Sequence, residues 1–364
     1  MTAAIKTKVD GRVAVLVTGG AGYIGSHTCK ALANAGYMPI TFDNLVHGHR
    51  WAVQWGPLVK GDLADAELLK KTMAEYCVEA VLHFSGYCYV GESMSKPEKY
   101  FRNNVVNSLT LLEAMRSAGV KHIVFSSTCA TYGFPVKMPI SESNPQNPIN
   151  PYGESKLAVE KMLRWWGAAH SLRWTTLRYF NAAGADPEGQ IGEDHDPETH
   201  LMPLAIQAAL GDRAQFEIYG CDYPTPDGTA IRDFIHVTDL AAAHVAALRR
   251  LEAGGESIAL NLGTGSGHSV REVLAMVEQV SGRKVPAREA PRRAGDPPEL
   301  VAAVTSAAQI LNWRPQNSSL QNIITTAWRW HSDRHAKVAR EGRTPAGMNP
   351  ALAVPEITVV ARNS

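Results

Sequence analysis

From residue 12 the chain alternates short apolar runs with segments of helical period. The run "VAVLVTG" precedes a helical pattern over about 23–36, and "MPITFDN", "GPLVKGDL" and a second helical stretch through the sixties and seventies follow. Short buried runs separated by amphipathic stretches predict a βαβαβ series. "VEAVLHFSG", "VKHIVFSST" and "WTTLRYFN" extend it, again with helical stretches between them. Right-handed crossovers would place helices on both faces of one doubly wound parallel sheet.

After Asn181 the texture changes. "GADPEGQIGEDHDPETHLMP" and "YGCDYPTPDGT" are rich in Gly, Pro and Asp and lack long periodic runs, which predicts binding loops on a smaller lobe. A helical pattern returns in "HVTDLAAAHVAALRRL" and a strand in "SIALNLGTG", so the chain is expected to re-enter its first domain before ending in the second. The expected division is a nucleotide-binding domain over 1–180 with a return at about 233–263, and a second lobe over 181–232 and 264–345. A C-terminal tail, 346–364, shows no amphipathic period and should be extended or docked.

Composition narrows the function. With 364 residues, 45% of them hydrophobic, the chain is long enough for one large or two modest cores. A formal net charge of +1 with 20% charged residues suggests neither a nucleic-acid surface nor an acidic tail. The five cysteines form no Cys-x-x-Cys pair, and no familiar histidine ligand spacing is present, so no metal is expected. The N-terminus lacks an apolar signal core and no apolar run reaches the ~18 residues of a membrane span. A cytoplasmic protein acting on a small molecule, without nucleic acid or membrane as partner, is the expectation.

The first strand runs into Gly19, Gly22 and Gly25 in a Gly-x-x-Gly-x-x-Gly pattern, followed by the helix that begins near Tyr23 and Ile24. Glycines there permit a tight turn and let backbone N–H groups approach a pyrophosphate at the helix N-terminus. The next strand ends in "FDN", placing Asp43 and Asn44 where a carboxylate accepts from an adenosine ribose. This context predicts a Rossmann-type nucleotide site. The Asp43 charge would repel the extra phosphate of NADP and favours NAD, with His47, His49 and Arg50 nearby pulling the other way. Asp62 and Leu63 follow the third strand, suited to the adenine rim, although helix capping explains Asp62 equally well.

In "NPYGESKLAVE" Tyr152 lies four residues before Lys156, one turn apart on a single helical face. An ammonium ion beside a phenol favours the phenolate. The expectation is that burial and the cation bring Tyr152 toward neutrality as a general base, although the pair alone is also an ordinary helical surface pair.

With these motifs and the preceding "FSSTCATYG", the chain resembles the extended short-chain dehydrogenase/reductase family, most closely its UDP-glucose 4-epimerase branch, from about residue 12 to about 335. The matching segments include "VTGGAGYIGSHTC", "VGES", "LRYFN", "GEDHDPETHLMP", "DYPTPDGTAIRDFIHV" and "RRAGDPP". The resemblance implies an α/β protein, a Rossmann-type doubly wound parallel sheet with a smaller α/β C-terminal substrate lobe. It implies reversible epimerisation at carbon 4 of a UDP-hexose through a 4-keto sugar, with hydride taken up and returned by tightly bound NAD. Thr128 would contact the sugar 4-hydroxyl, Tyr152 would take its proton, and Lys156 would bind the nicotinamide ribose.

Further cofactor positions implied are Phe84, Ser85, Gly86, Asn104, Tyr179 and Phe180, with core packing an alternative for the last two. Substrate positions implied are Asn181, His200, Leu201, Glu217, Ile218, Tyr219, Arg232, Arg293, Asp296 and Leu300. Arg232 and Arg293 suit a diphosphate and Asp296 a ribose, with an ion pair between Arg232 and its neighbour Asp233 as the alternative. Cys88 stands where some epimerases carry a lysine, and no ligand cluster is expected around His200.

Two related chemistries compete. A nucleotide-sugar 4,6-dehydratase needs added acid and base groups after the strand threonine, where this chain has Cys129 and Ala130. A UDP-xylose/UDP-arabinose or UDP-N-acetylglucosamine 4-epimerase would keep the same apparatus. Resemblance also implies a homodimer through a four-helix bundle, built from helices at about 97–118 and 151–168 whose apolar positions include Leu109, Leu112, Leu157 and Trp165.

Overall fold

The structure, a computed structural model, describes residues 11–293 and 295–340, so the expected tail lies outside the described residues. Seven parallel strands form the main sheet: β1 (Ala14–Thr18), β2 (Met38–Asp43), β3 (Leu58–Lys60), β4 (Ala80–His83), β5 (His122–Thr128), β6 (Arg173–Tyr179) and, much later in the chain, Ile258–Leu262. Strands β1, β2 and β4 are buried along their whole length, which is why they read as continuous apolar runs rather than as alternation.

Alternate residues still separate the two faces. Val15, Val17, Leu82 and Leu177 pack under α1 (Tyr23–Asn34) and a later helix, Val237–Glu252. Leu16, Ile40, Val81 and Ile123 pack under α2 (Ala66–Glu75) and, further along the chain, two helices at Asn107–Ala118 and Pro151–His170.

Between β4 and β5 the single expected helix is broken. Short helices α3 (Val90–Ser95) and α4 (Pro97–Tyr100) lead through a π-helical segment, Phe101–Val106, into α5 (Asn107–Ala118). The wider π turn re-aims Asn104 into the protein interior, a displacement that a 3.6-residue period cannot forecast. Helix α6 (Pro151–His170) starts at Asn150, whose side chain accepts from Gly153 N at 2.8 Å, with Pro151 in the first turn.

The remaining elements form smaller sheets. Strand β7 (Asn181–Ala183) pairs with β9 (Ile231–His236), which also carries β11 (Gly267–Ser269) and β13 (Glu299–Leu300). Strand β8 (Phe216–Tyr219) pairs with β12 (Ala287–Ala290). Helices α7 (Leu201–Leu210), α9 (Val270–Ser281) and α10 (Leu320–Arg340) enclose a second apolar core around Ile206, Ile218, Phe234, Val273 and Ile323. Helix α8 (Val237–Glu252) leads from β9 into β10 (Ile258–Leu262), which pairs with β6 at the edge of the main sheet.

Candidate active site

The strand order β10-β6-β5-β4-β1-β2-β3 reverses direction between β1 and β4. In such sheets the crevice beyond the carboxyl ends at that reversal is where ligands bind. Thr18 is in register with Phe42 and His83, and Thr128 with Tyr179, so the candidate residues that follow these strands emerge along one edge.

At the first turn Gly19 has φ +72°, and a Cβ there would lie 2.7 Å from Ser85 N. A Cβ at Gly25 would run into the Gly19 carbonyl. Gly22 is the N-cap of α1 and offers no side-chain acceptor, so the first-turn N–H groups of Tyr23, Ile24 and Gly25 have no capping side chain. A close, bare helix start of this kind fits a pyrophosphate. The Tyr23 hydroxyl itself is committed, donating to Gly184 O at 2.6 Å.

Asp43 accepts from Ala21 N at 3.0 Å and Leu45 N at 2.8 Å, which orients its carboxylate and leaves each oxygen a further lone pair for a ribose hydroxyl. Burial raises its pKa, and the two N–H donors oppose that rise. Asp62 accepts from the Asn44 amide at 2.8 Å and from Ala64 N at 2.9 Å, so it does hold the turn, while Leu63 is buried in the core beneath. Phe84 packs on His244 at 4.7 Å between centroids, and Ser85 N donates to Thr18 O at 3.1 Å. The residues present fit a dinucleotide.

Tyr152, Lys156 and Thr128 converge beside this cradle. Lys156 is buried, donates to Ser126 O at 2.9 Å, and lies 3.2 Å from where a Cβ at Gly86 would be. Asn104 ties the floor together through Tyr87 and Ser155. The pKa values depart from the expectation. Desolvation raises Tyr152 well above 10, with Cys88 and Tyr179 adding to the rise and the Thr128 hydroxyl opposing it. Desolvation also lowers Lys156 to about 8. Burial disfavours both charged forms, so the protein's own groups do not bring the tyrosine toward neutrality. Tyr179 is buried with its hydroxyl against Ser126, and Phe180 packs with Cys129 and Tyr132.

On the other side of the crevice several substrate candidates bind one another. Arg232 pairs with Asp296 and donates to Pro297 O at 2.9 Å. Its neighbour Asp233 instead accepts from Thr264, Gly265 and Ala302, so the alternative pairing of Arg232 with Asp233 does not form. Asn181 donates to Asp233 O at 2.9 Å. Arg293 lies over the Tyr219 ring at 4.0 Å, Tyr219 donates to Glu217, and Ile218 between them is a core residue. Leu300 packs against the cluster of Cys129 and Phe180, which places it just behind the end of β5.

His200 is the N-cap of α7, ahead of Leu201. Contrary to expectation it sits in a ligand-type cluster with Glu193, His195 and Glu198. The spacing Glu-x-His-x-x-Glu-x-His lies in an aperiodic loop, where no helix or strand period brings attention to it. A second group escaped the sequence reading. Glu160, one turn beyond Lys156 on α6, accepts from Ser127 at 2.6 Å and binds Arg178 at 2.6 Å. Its i+4 spacing from Lys156 points to a pair with that lysine, whereas its partner, Arg178, lies on β6 and gives no signal in the sequence.

Residues 15–263 match the NAD dependent epimerase/dehydratase family. The chain belongs to that family. As a member of an NAD-dependent family it uses NAD as its cofactor. The chain is 53% identical over 318 residues to the UDP-glucose 4-epimerase of Rhizobium leguminosarum bv. trifolii, a match covering 87% of this chain and 97% of that relative. UDP-glucose 4-epimerase from Brucella ovis in complex with NAD superposes with a TM-score of 0.86 at 52% identity, covering 87% of this chain and 98% of that one. The UDP-Glc/GlcNAc 4-epimerase from Campylobacter jejuni superposes with a TM-score of 0.78 at 39% identity, covering 88% and 99%. Among the described residues no helix is long and apolar enough to cross a membrane.

Proposed function

We propose that this chain reversibly epimerises carbon 4 of a UDP-hexose, interconverting UDP-glucose and UDP-galactose. The observation that carries the reading is the meeting of Tyr152, Lys156 and Thr128 beside the Gly19–Gly25 turn, opposite a cation-bearing crevice. Bound NAD supplies reversible two-electron oxidation of the carbon 4 alcohol. Tyr152 accepts the hydroxyl proton and later returns it, so the overall reaction releases none. Thr128 orients that hydroxyl, and Lys156, buried and donating to Ser126 O, binds the nicotinamide ribose. Arg293 and the Arg232–Asp296 pair hold the diphosphate and uridine ends. The sugar end meets Leu300, an apolar wall without a polar group to fix one face, which suits a keto sugar that must present both faces. Incubating the purified protein with UDP-glucose, UDP-xylose and UDP-N-acetylglucosamine, with product sugars separated, tests the reading. Turnover of the pentose pair alone would overturn it.

We also infer a homodimer. Leu112 and Leu157 are only 1% and 5% exposed within the subunit and are not free to pair, whereas Phe101, Val106 and Trp165 present apolar surface, Trp165 at 75% exposure. The assembly therefore rests on α6 and the π segment rather than on the inner positions. Sedimentation at micromolar concentration should give a dimer and Trp165→Asp a monomer. A monomeric parent chain would rule the assembly out.

A further inference from the structure

We infer that Glu193, His195, Glu198 and His200 form a site for one divalent transition ion, zinc in the first instance. The four side chains come from a single eight-residue loop, and one ligand atom from each lies within 4.8 Å of all the others. One separation already matches what tetrahedral coordination with bonds of ~2.0–2.1 Å requires, about 3.3–3.4 Å between donors: His195 Nδ1 to Glu193 Oε1 at 3.3 Å. His200 Nδ1 lies closer, 3.0 Å from Glu193 Oε1 and 2.9 Å from Glu198 Oε1, and would open by a few tenths of an ångström around an ion.

The second, independent observation is His195 Nδ1. That atom is shielded from solvent, makes no close hydrogen bond, and lies 3.3 Å from Glu193 Oε1 and 3.7 Å from Glu198 Oε2. A nitrogen placed between two carboxylates is satisfied either by carrying a proton, as an ion pair, or by a cation held among the four side chains, and the two differ in whether metal binds. Among the described residues the ion pairs of Glu193 and Glu198 are with these two histidines alone, so no lysine or arginine fills the position.

The frame around the four is fixed from outside. Trp330 Nε1 donates to Glu193 O at 2.9 Å, His49 Nε2 contacts Asp194 O at 2.8 Å, and Arg334 binds Asp194 at 2.6 Å. Thr199 N and His200 N both donate to one oxygen of Glu198, orienting its carboxylate. Tyr23 and Tyr89 wall the site with ring contacts to His195. Two imidazoles and two carboxylates select zinc-like ions over magnesium or calcium, which prefer an all-oxygen shell. Two carboxylates balance the ion's charge. Binding requires both imidazoles neutral, and any protons they carry leave to solvent. The inference stands apart from the epimerase reading.

The test uses the full chain with its bound NAD, stripped of metal by chelator and titrated with cobalt(II). One cobalt per chain is expected, with the intense visible bands of tetrahedral nitrogen and oxygen ligation, displaced by one equivalent of zinc. His195→Gln and Glu193→Gln should each lose that binding while keeping NAD. No saturable cobalt, a weak octahedral spectrum, thiolate charge-transfer bands, or unchanged binding in both variants would each overturn the inference and leave the quartet an ion-pair cluster. The parent spectrum answers the question even where a variant does not fold.

Discussion

At the scale of single residues, the proposed base and its neighbour pull against their surroundings. Tyr152 is raised by burial and Lys156 lowered by it, so a phenolate at Tyr152 would need the positive charge that an oxidised nicotinamide supplies. Removing the phenol oxygen should remove proton transfer and little else. Tyr152→Phe is expected to keep its fold and bound NAD while epimerisation falls by orders of magnitude, and activity within a few-fold of the parent would end the assignment. On the proposed reading Leu300 governs a different property. It lacks the reach and hydroxyl of a tyrosine and packs against Cys129 and Phe180, so the wall it is proposed to give the sugar would be apolar and of intermediate size. UDP-N-acetylglucosamine should therefore turn over, more slowly than UDP-glucose. Steric exclusion of an acetamido group is worth a few kcal/mol, and ~1.4 kcal/mol is a tenfold change. Leu300→Tyr should depress N-acetyl turnover far more than glucose turnover, and equal losses on both substrates in steady-state assays would refute the wall.

At the scale of elements, helix α6, which carries Tyr152 and Lys156, is tied to its strands by a buried charge pair. Glu160 on α6 bonds Ser127 at the end of β5 and receives a fork from Arg178 on β6, whose guanidinium also donates to Tyr132 at 2.8 Å. Both partners are nearly inaccessible, at 3% and 2% side-chain exposure. Removing one member strands the other charge, at a cost of about 3–5 kcal/mol, whereas removing both together costs less. Arg178→Met should thus unfold at much lower urea than the parent, and Arg178→Met with Glu160→Leu should recover part of the loss. A double variant as weak as the sum of its singles would show that the pair is not coupled. Such pairs mark the limit of sequence reading. The strands were legible because Val15 to Val17 or Ile123 to Phe125 are unbroken apolar runs, and the cofactor turn because its glycines stand between a strand and a helix. The partner of Glu160 lies eighteen residues away on another element, and the π segment changes period without changing composition. The short strands β7, β11 and β13 have two or three residues each, too few to show any alternation.

At the scale of the whole molecule, the parallel order of strands followed from the βαβ alternation, but the polar content of the core did not, and that content sets the response to acid. His27, His83, His236 and His244 are buried, and burial lowers their pKa values to about 4, 3, 4 and 4. Each is held neutral in a packed setting: His83 bridges Thr18 and Ser108 at 2.7 and 2.8 Å, and His244 contacts Leu240 O at 2.8 Å. In the unfolded chain each titrates near ~6.5. The stability they contribute is therefore complete above that value and is lost as pH falls toward 4, where the unfolded state alone takes up protons. Each such histidine steepens the loss by up to ~1.4 kcal/mol per pH unit. His244 isolates the effect, because its Nε2 has no partner and its ring lies against Phe84 and Tyr179, so an apolar side chain of similar length can replace it. His244→Met should match the parent near neutrality and lose stability less steeply from pH 6 to 4.5, by one proton's worth of slope. The comparison is read as urea midpoints across that range, in which carboxylate titrations shared by the two proteins cancel. Parallel pH curves would mean that His244 accepts its proton in the folded state as readily as in the unfolded one.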